Sequence, residues 1–136
     1  MKPGRICKSL LLLVLSSTVC SADGLDDAKL KIEEGISLKF LGTTTLLATI
    51  NNPTALQTQA NAINPRFVIA SALFKNAKQE LIHYIANEGS IEKRRLARMH
   101  LEYCSKQIMA LRPYLKLSRS LRAEVSNAQD CQLLYK

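Results

Sequence analysis

The sequence predicts an all-α fold, a small helical bundle built on an antiparallel hairpin of two helices over about 65–87 and 91–111. In both stretches apolar residues recur at intervals of three and four, the period of a helix with one buried side. Gly89 and Ser90 separate the two stretches. Helices joined by so short a connection pack against each other in opposite directions.

The N-terminal residues predict export. Lys2, Arg5 and Lys8 precede the apolar run Leu10–Leu15, and Cys20-Ser21-Ala22 follows before Asp23. A positive start, a short apolar core and small residues at the cut are typical of a cleavable secretory signal. We therefore expect a signal peptide over 1–22, cleavage near Ala22/Asp23, and a secreted or periplasmic domain over 23–136. Lipidation at Cys20 is the weaker alternative.

The segment from Leu25 to Ile50 is ambiguous. The apolar residues of 25–36 recur as in a helix, whereas those of 36–40 alternate as in a strand. Gly35 and Gly42 interrupt both patterns, since glycine weakens helices and strands alike. We favour a helix to about residue 41 and leave a strand within 36–50 open.

The hairpin helices have recognisable ends. Asn52-Pro53 and Asn64-Pro65 each combine a good N-cap with a proline suited to the first helical position. The first pair is expected to open a short polar segment, and the second to begin the long helix over 65–87. Ser90 caps the next helix, whose predicted buried side is broad and includes Ala97, Leu101, Cys104, Ile108, Leu111, Leu96, Met99, Tyr103 and Ala110.

Two cysteines remain after signal removal, Cys104 and Cys131. In an oxidising compartment such a pair indicates a disulfide, which would contribute about 3 kcal/mol on the chain-entropy estimate. A straight helix past Pro113 would hold the two residues too far apart for this bond. The disulfide therefore implies that the chain turns near Pro113 and that a C-terminal helix runs back along the bundle.

Positive charge is concentrated in the C-terminal half. The chain has a net charge of +8, of which three charges belong to the predicted signal, and residues 91–122 hold nine lysines and arginines against two glutamates. Such a run can bind an acidic protein or an anionic membrane surface. Export and an aromatic content of 5% disfavour nucleic acid. The expected partner-binding residues are Lys93, Arg94, Arg95, Arg98, Arg119 and Arg122, with Lys106, Arg112 and Lys116 extending the run.

The sequence gives little support for catalysis or metal binding. Glu80 and His83 have the Glu-x-x-His spacing of di-iron bundles, but His100 has Ala97 three residues before it, so the required second copy is absent. The chain has no G-x-S-x-G and no glycine-rich phosphate loop. We expect no enzyme activity, no catalytic residue, no metal and no cofactor. A bundle that binds a metal or cofactor through Glu80, His83 or His100 remains the alternative.

These observations predict an exported, non-catalytic helical protein that binds a protein partner, as an immunity protein, an inhibitor or an adaptor does. The chain's oligomeric state and the identity of the partner do not follow from the residues.

Overall fold

The computed structural model describes residues 24–134, and the side chains of 24–127. Three α-helices account for almost all of this part of the chain: α1 (Gly24–Thr49), α2 (Pro53–Asn87) and α3 (Ile91–Leu134). Short connections make successive helices antiparallel, so α1 and α3 run in the same direction beside α2. The described residues contain no strand, and the prediction of an all-α bundle is confirmed.

Residues 36–49 belong to α1, so a strand within 36–50 is wrong. The threonines of this segment favour strands, but here their hydroxyls are satisfied inside the helix. Thr43, Thr45 and Thr49 donate hydrogen bonds of 2.8–3.0 Å to the carbonyl oxygens four residues earlier. Asp26 and Asp27 lie in the first turn of α1, where the helix dipole favours negative charge.

Helix α2 begins at the first Asn-Pro pair and continues through the second. Asn52 is the N-cap, since its side-chain oxygen accepts a hydrogen bond of 3.1 Å from the Ala55 N–H. Pro65 lies inside the helix, although its missing N–H removes one helical hydrogen bond. The predicted start at residue 65 is therefore wrong, and burial of the adjacent Ile63 and Phe67 offsets the lost bond.

The predicted hairpin is confirmed within longer helices. Glu88, Gly89 and Ser90 connect α2 to α3, and the Glu88 carboxylate accepts a hydrogen bond of 3.0 Å from the Ser90 N–H. The Ser90 hydroxyl accepts one of 3.4 Å from the Lys93 N–H, as expected of an N-cap.

Helix α3 does not turn back at Pro113, so the predicted returning helix is wrong. The helix continues to Leu134 with Pro113 inside it. At 1.5 Å per residue, Cys104 and Cys131 lie about 40 Å apart along this helix. Cys104 is a free, buried cysteine, and nothing supports the proposed disulfide. Tyr114, Leu115 and Leu121 pack against the core and hold the helix beyond Pro113 to the bundle.

The core follows a seven-residue repeat on each helix, the pattern of coiled-coil packing. Buried positions spaced by seven are Ala28, Gly35, Gly42 and Thr49 on α1, Ala60, Phe67, Phe74 and Leu81 on α2, and Ala97, Cys104, Leu111 and Ser118 on α3. The two α1 glycines, expected to interrupt the helix, are contact positions. A Cβ on Gly35 would lie 3.0 Å from the Phe74 ring, and one on Gly42 2.8 Å from the Phe67 ring. The missing side chains let α1 approach α2 closely.

Candidate interaction surfaces

One side of α3 carries a row of cations, which we call the basic edge. Arg98, Arg112 and Arg119 are separated by multiples of seven residues, so they lie on the same side of the helix. Arg94 and Lys116 lie four residues from members of this row and extend it. Two shallow grooves adjoin the edge. Arg112, Leu115, Lys116, Arg119 and Ser120 line the first, of about 390 Å³. The second, of about 270 Å³, connects Arg119 to Val68 and Lys75 of α2.

The described part of the chain places no carboxylate within 4 Å of the basic-edge side chains. Glu102, four residues after Arg98, lies on the same side of the helix, but its carboxylate forms an ion pair of 3.3 Å with Lys106, which lies seven residues after Met99 on a different side. Arg94 is partly buried, and its Nε is enclosed without a hydrogen-bond partner among the described residues. The positive charge of the edge therefore remains available to an external anion.

The structure divides the sequence-predicted binding residues. Arg94, Arg98 and Arg119 lie on the basic edge, and Arg122 follows one turn beyond Arg119 in the same helix. Arg95 lies 21 residues before Lys116, a multiple of seven, and so also borders the edge, whereas helical spacing places Lys93 on another side of α3. Arg112 and Lys116 belong to the edge. Arg112 lies fourteen residues after Arg98, two repeats of seven, and that spacing is the signal in the sequence that identifies it as a member.

An acidic cleft of about 630 Å³ lies where the start of α1 meets the end of α2. Its lining residues are Gly24, Asp27, Gln79, Glu80, His83, Tyr84, Asn87 and Glu88. Hydrogen bonds from the Ser90 backbone and from the Tyr84 side chain lower the pKa of Glu88. Glu80 forms an ion pair with Lys31 of α1. The Lys31–Glu80 pair ties α1 to α2, whereas the hydrogen bonds of Glu88 lie within α2 and its connection to α3.

The residues considered for a metal site do not form one. Glu80 is engaged by Lys31, and the exposed His83 lies beside the Asn87 side chain on its own helix. His100 is on α3, where burial, and secondarily the charge of Lys29, lowers its pKa. Within residues 24–127, no group of three histidine, cysteine or acidic side chains is arranged to hold a metal ion.

Cys104 occupies a core position of α3 and is fully enclosed. Burial raises the pKa of its thiol to about 11, with Lys78 acting weakly in the opposite direction. The thiol therefore stays protonated at neutral pH and is a poor nucleophile. Its contribution is to packing, as a small apolar side chain.

The chain matches no protein-family model, no curated protein and no solved structure. None of the described helices is long and apolar enough to span a membrane.

Proposed function

We propose that this chain is an exported, non-catalytic interaction protein that binds an acidic protein partner through the basic edge of α3. The observation that carries the proposal is the row of cations from Arg94 to Arg119, which extends about 37 Å without a carboxylate partner in the described part of the chain. Like charges held in a row repel one another, and an acidic surface relieves that repulsion on binding.

The export part of the proposal is supported by the composition of residues 1–22, which lie outside the described residues. If the chain is expressed from its complete coding sequence, we expect the processed protein to begin at Asp23 and to accumulate in the periplasm or the medium. Intact mass of the purified protein, with cell fractionation, tests this. A protein beginning at Met1 and retained in the cytosol would disprove export.

A rigid, helix-based edge supports protein binding over the alternatives. The arginines are held at fixed intervals on one helix, and arginine can pair with carboxylates through two parallel hydrogen bonds. The metal-binding alternative is weaker, because Glu80 is already paired with Lys31. An anionic membrane surface remains the competing partner for the same residues and is an explicit outcome of the binding experiment.

The binding experiment compares two charge reversals on one helix. The processed protein is immobilised, incubated with envelope extract of its native host and washed at physiological salt, and bound proteins are identified by mass spectrometry. Arg112→Glu should weaken capture of the partner by about tenfold or more, because it removes one attraction and adds a repulsion. Lys106→Glu makes the same charge change away from the edge and should leave capture within twofold.

Two outcomes would overturn the proposal. One is equal loss of partner by both variants, which would indicate a response to net charge rather than to the edge. The other is capture of anionic lipid without a stoichiometric protein, followed by salt-sensitive co-sedimentation with anionic vesicles.

A further inference from the structure

A second surface lies on the side of α3 that faces away from the basic edge. Helices α1 and α3 carry two neighbouring rows of exposed apolar side chains, which we call the apolar face. Its members are Ile36, Phe40, Leu47 and Ile50 of α1, and Leu96, Met99, Tyr103, Ala110 and Leu117 of α3. The exposed fraction is 66% for Phe40, 73% for Leu47 and 62% for Met99. A contiguous apolar surface of this kind marks an interaction site.

The two rows flank a direct contact between the helices. Lys39 Nζ of α1 donates a hydrogen bond of 2.7 Å to Gln107 Oε1 of α3. Ile36 and Tyr103 lie within one turn of these residues on their respective helices, so both rows border the groove between α1 and α3. In α3, Leu96, Tyr103, Ala110 and Leu117 are spaced by seven, beside the buried series that contains Cys104. This helix therefore carries a second coiled-coil seam, exposed beside the buried one.

The apolar face is large enough for a stable association. From Leu96 to Leu117 it runs about 32 Å, and two adjacent helices are about 20 Å wide. Each copy would thus contribute roughly 640 Å², and two copies together roughly 1,300 Å², within the range of specific protein interfaces. The composition also fits, since aromatic residues and methionine are enriched at interfaces and charge is depleted at their centres.

The distribution of charge selects the occupant. Between Ile36 and Ile50, Lys39 is the only charged residue, and its ammonium group is already bonded to Gln107. On α3, Lys106 borders Met99 and Tyr103, and its charge is paired with that of Glu102. The face is therefore nearly neutral, whereas the arginines at positions 98, 112 and 119 lie on the basic edge. Two positively charged copies can meet through this face while their basic edges point away from each other, which keeps the repulsion between them small.

We propose that the apolar face binds a second copy of this chain. Two copies related by a twofold axis in the interface bury the face of each against the other. Whether the axis runs along the helices or across them, the exposed apolar side of a helix in one copy lies opposite that of a helix in the other copy. The resulting dimer has a four-helix layer of α1 and α3 from each copy at its centre and a basic edge on each outer side. The inference does not depend on the proposed function.

Sedimentation velocity of the processed full chain, over a concentration series from 0.5 to 100 μM (about 200-fold), tests the dimer. We expect a monomer–dimer equilibrium with the dimer predominant at about 10 μM, since interfaces of this size reach micromolar affinity or better. Phe40→Lys and Met99→Lys should each raise the dimer dissociation constant by about tenfold or more, because a charge would be buried at the interface.

Ile69→Lys is the matched control. Ile69 is an exposed apolar residue of α2, outside the apolar face, and the substitution adds the same charge. The dimer dissociation constant of this variant should stay within twofold of that of the unmodified protein. Circular dichroism of all three variants should show unchanged helicity, because the substituted side chains are exposed in the monomer.

Three results would overturn the inference: a monomer at every concentration, a dimer that Phe40→Lys and Met99→Lys leave intact, or equal weakening by Ile69→Lys. A monomer that instead binds an apolar helix of the partner, lost on Phe40→Lys, would assign the face to that partner. Sedimentation measures self-association, whereas the Arg112→Glu experiment measures capture of a partner. Failure of the dimer and failure of the proposed function are therefore distinguishable.

Discussion

Asn64 and Ser118 are joined by a hydrogen bond inside the bundle, donated by Asn64 Nδ2 to Ser118 Oγ over 2.9 Å. Both residues are buried, and the serine occupies a core position of the seven-residue repeat on α3. Such a polar pair in an apolar core fixes which levels of two helices face each other. The bond therefore sets the register of α2 against α3 at the end of the bundle remote from the hairpin connection.

Ser118→Ala should lower the free energy of unfolding by about 1–3 kcal/mol, because it leaves the buried Asn64 amide without this partner. Urea unfolding followed by circular dichroism measures the change. Ser120→Ala, which removes an exposed hydroxyl two residues away, is the control and should cost less than about 0.5 kcal/mol. Equal effects of the two substitutions would show that the buried bond is not the cause.

Gly42→Ala should destabilise the protein, whereas the same change in an ordinary helix stabilises it by roughly 0.5–1 kcal/mol. The added Cβ would lie 2.8 Å from the Phe67 ring. That ring stacks on Tyr114 at a centroid distance of 5.3 Å, so it has little room to withdraw. We expect a loss on the order of 1–3 kcal/mol in thermal or urea unfolding.

A smaller partner should relieve the overpacking at this position. The cost of Gly42→Ala should fall when Phe67 is replaced by leucine, as measured by a double-mutant cycle. A Gly42→Ala variant as stable as the unmodified protein would show that α1 and α2 are not closely packed at this level.

Cys104 should be unreactive in the folded protein and reactive after unfolding. In a Cys131→Ser variant purified in its processed form, a chromogenic disulfide reagent at pH 8 should modify less than about a tenth of the thiol until urea is added, because burial keeps the thiol protonated and enclosed. The pKa of the Cys104 thiol, raised to about 11, also predicts a low reactivity at pH 8.

The processed protein without substitutions should also contain two free thiols under non-reducing conditions, since α3 holds Cys104 and Cys131 about 40 Å apart. A mass two units lower, restored by reductant, would demonstrate an intramolecular bond and require α3 to bend back.

His100 should make the protein less stable in mild acid. Burial, and secondarily the charge of Lys29, lowers the pKa of His100 below its ordinary value of 6.5. The unfolded chain therefore binds a proton more readily than the folded chain below about pH 6.5. The free energy of unfolding should fall as the pH decreases from 6.5 toward the folded-state pKa.

His100→Gln should flatten this dependence when unfolding is measured from pH 7.5 to 5. His83→Gln controls for the loss of an imidazole at an exposed position. An unchanged pH profile in His100→Gln would assign the acid sensitivity to other groups.

The sequence predicted the helices wherever apolar periodicity was strong, as in the hairpin joined at Gly89. It was misleading where a residue's local preference opposed its use in tertiary packing. Pro65 and Pro113 favour helix ends, yet Pro65 lies two residues before Phe67 and Pro113 directly before Tyr114. The rings of Phe67 and Tyr114 stack against each other between α2 and α3, and their burial outweighs one missing hydrogen bond at each proline.

The surfaces were harder to read than the helices. A helical period of three and four cannot distinguish a core face from a neighbouring exposed one, so Leu96, Met99, Tyr103 and Ala110 were predicted to be buried but are exposed. The seven-residue spacing separates the buried series that contains Cys104 from the exposed series that contains Tyr103. Both series continue past Pro113 without a break. The assumption of a disulfide obscured that continuity, because it required a turn there.

The close approach of α1 and α2 also restricts how this sequence can vary among relatives. At position 42 any side chain larger than a hydrogen atom meets the ring at position 67. Substitutions at the two positions should therefore be correlated, with glycine retained wherever position 67 is phenylalanine and alanine or serine admitted only beside a smaller residue. The same coupling should link positions 35 and 74, which would give the fold a recognisable paired signature in otherwise divergent sequences.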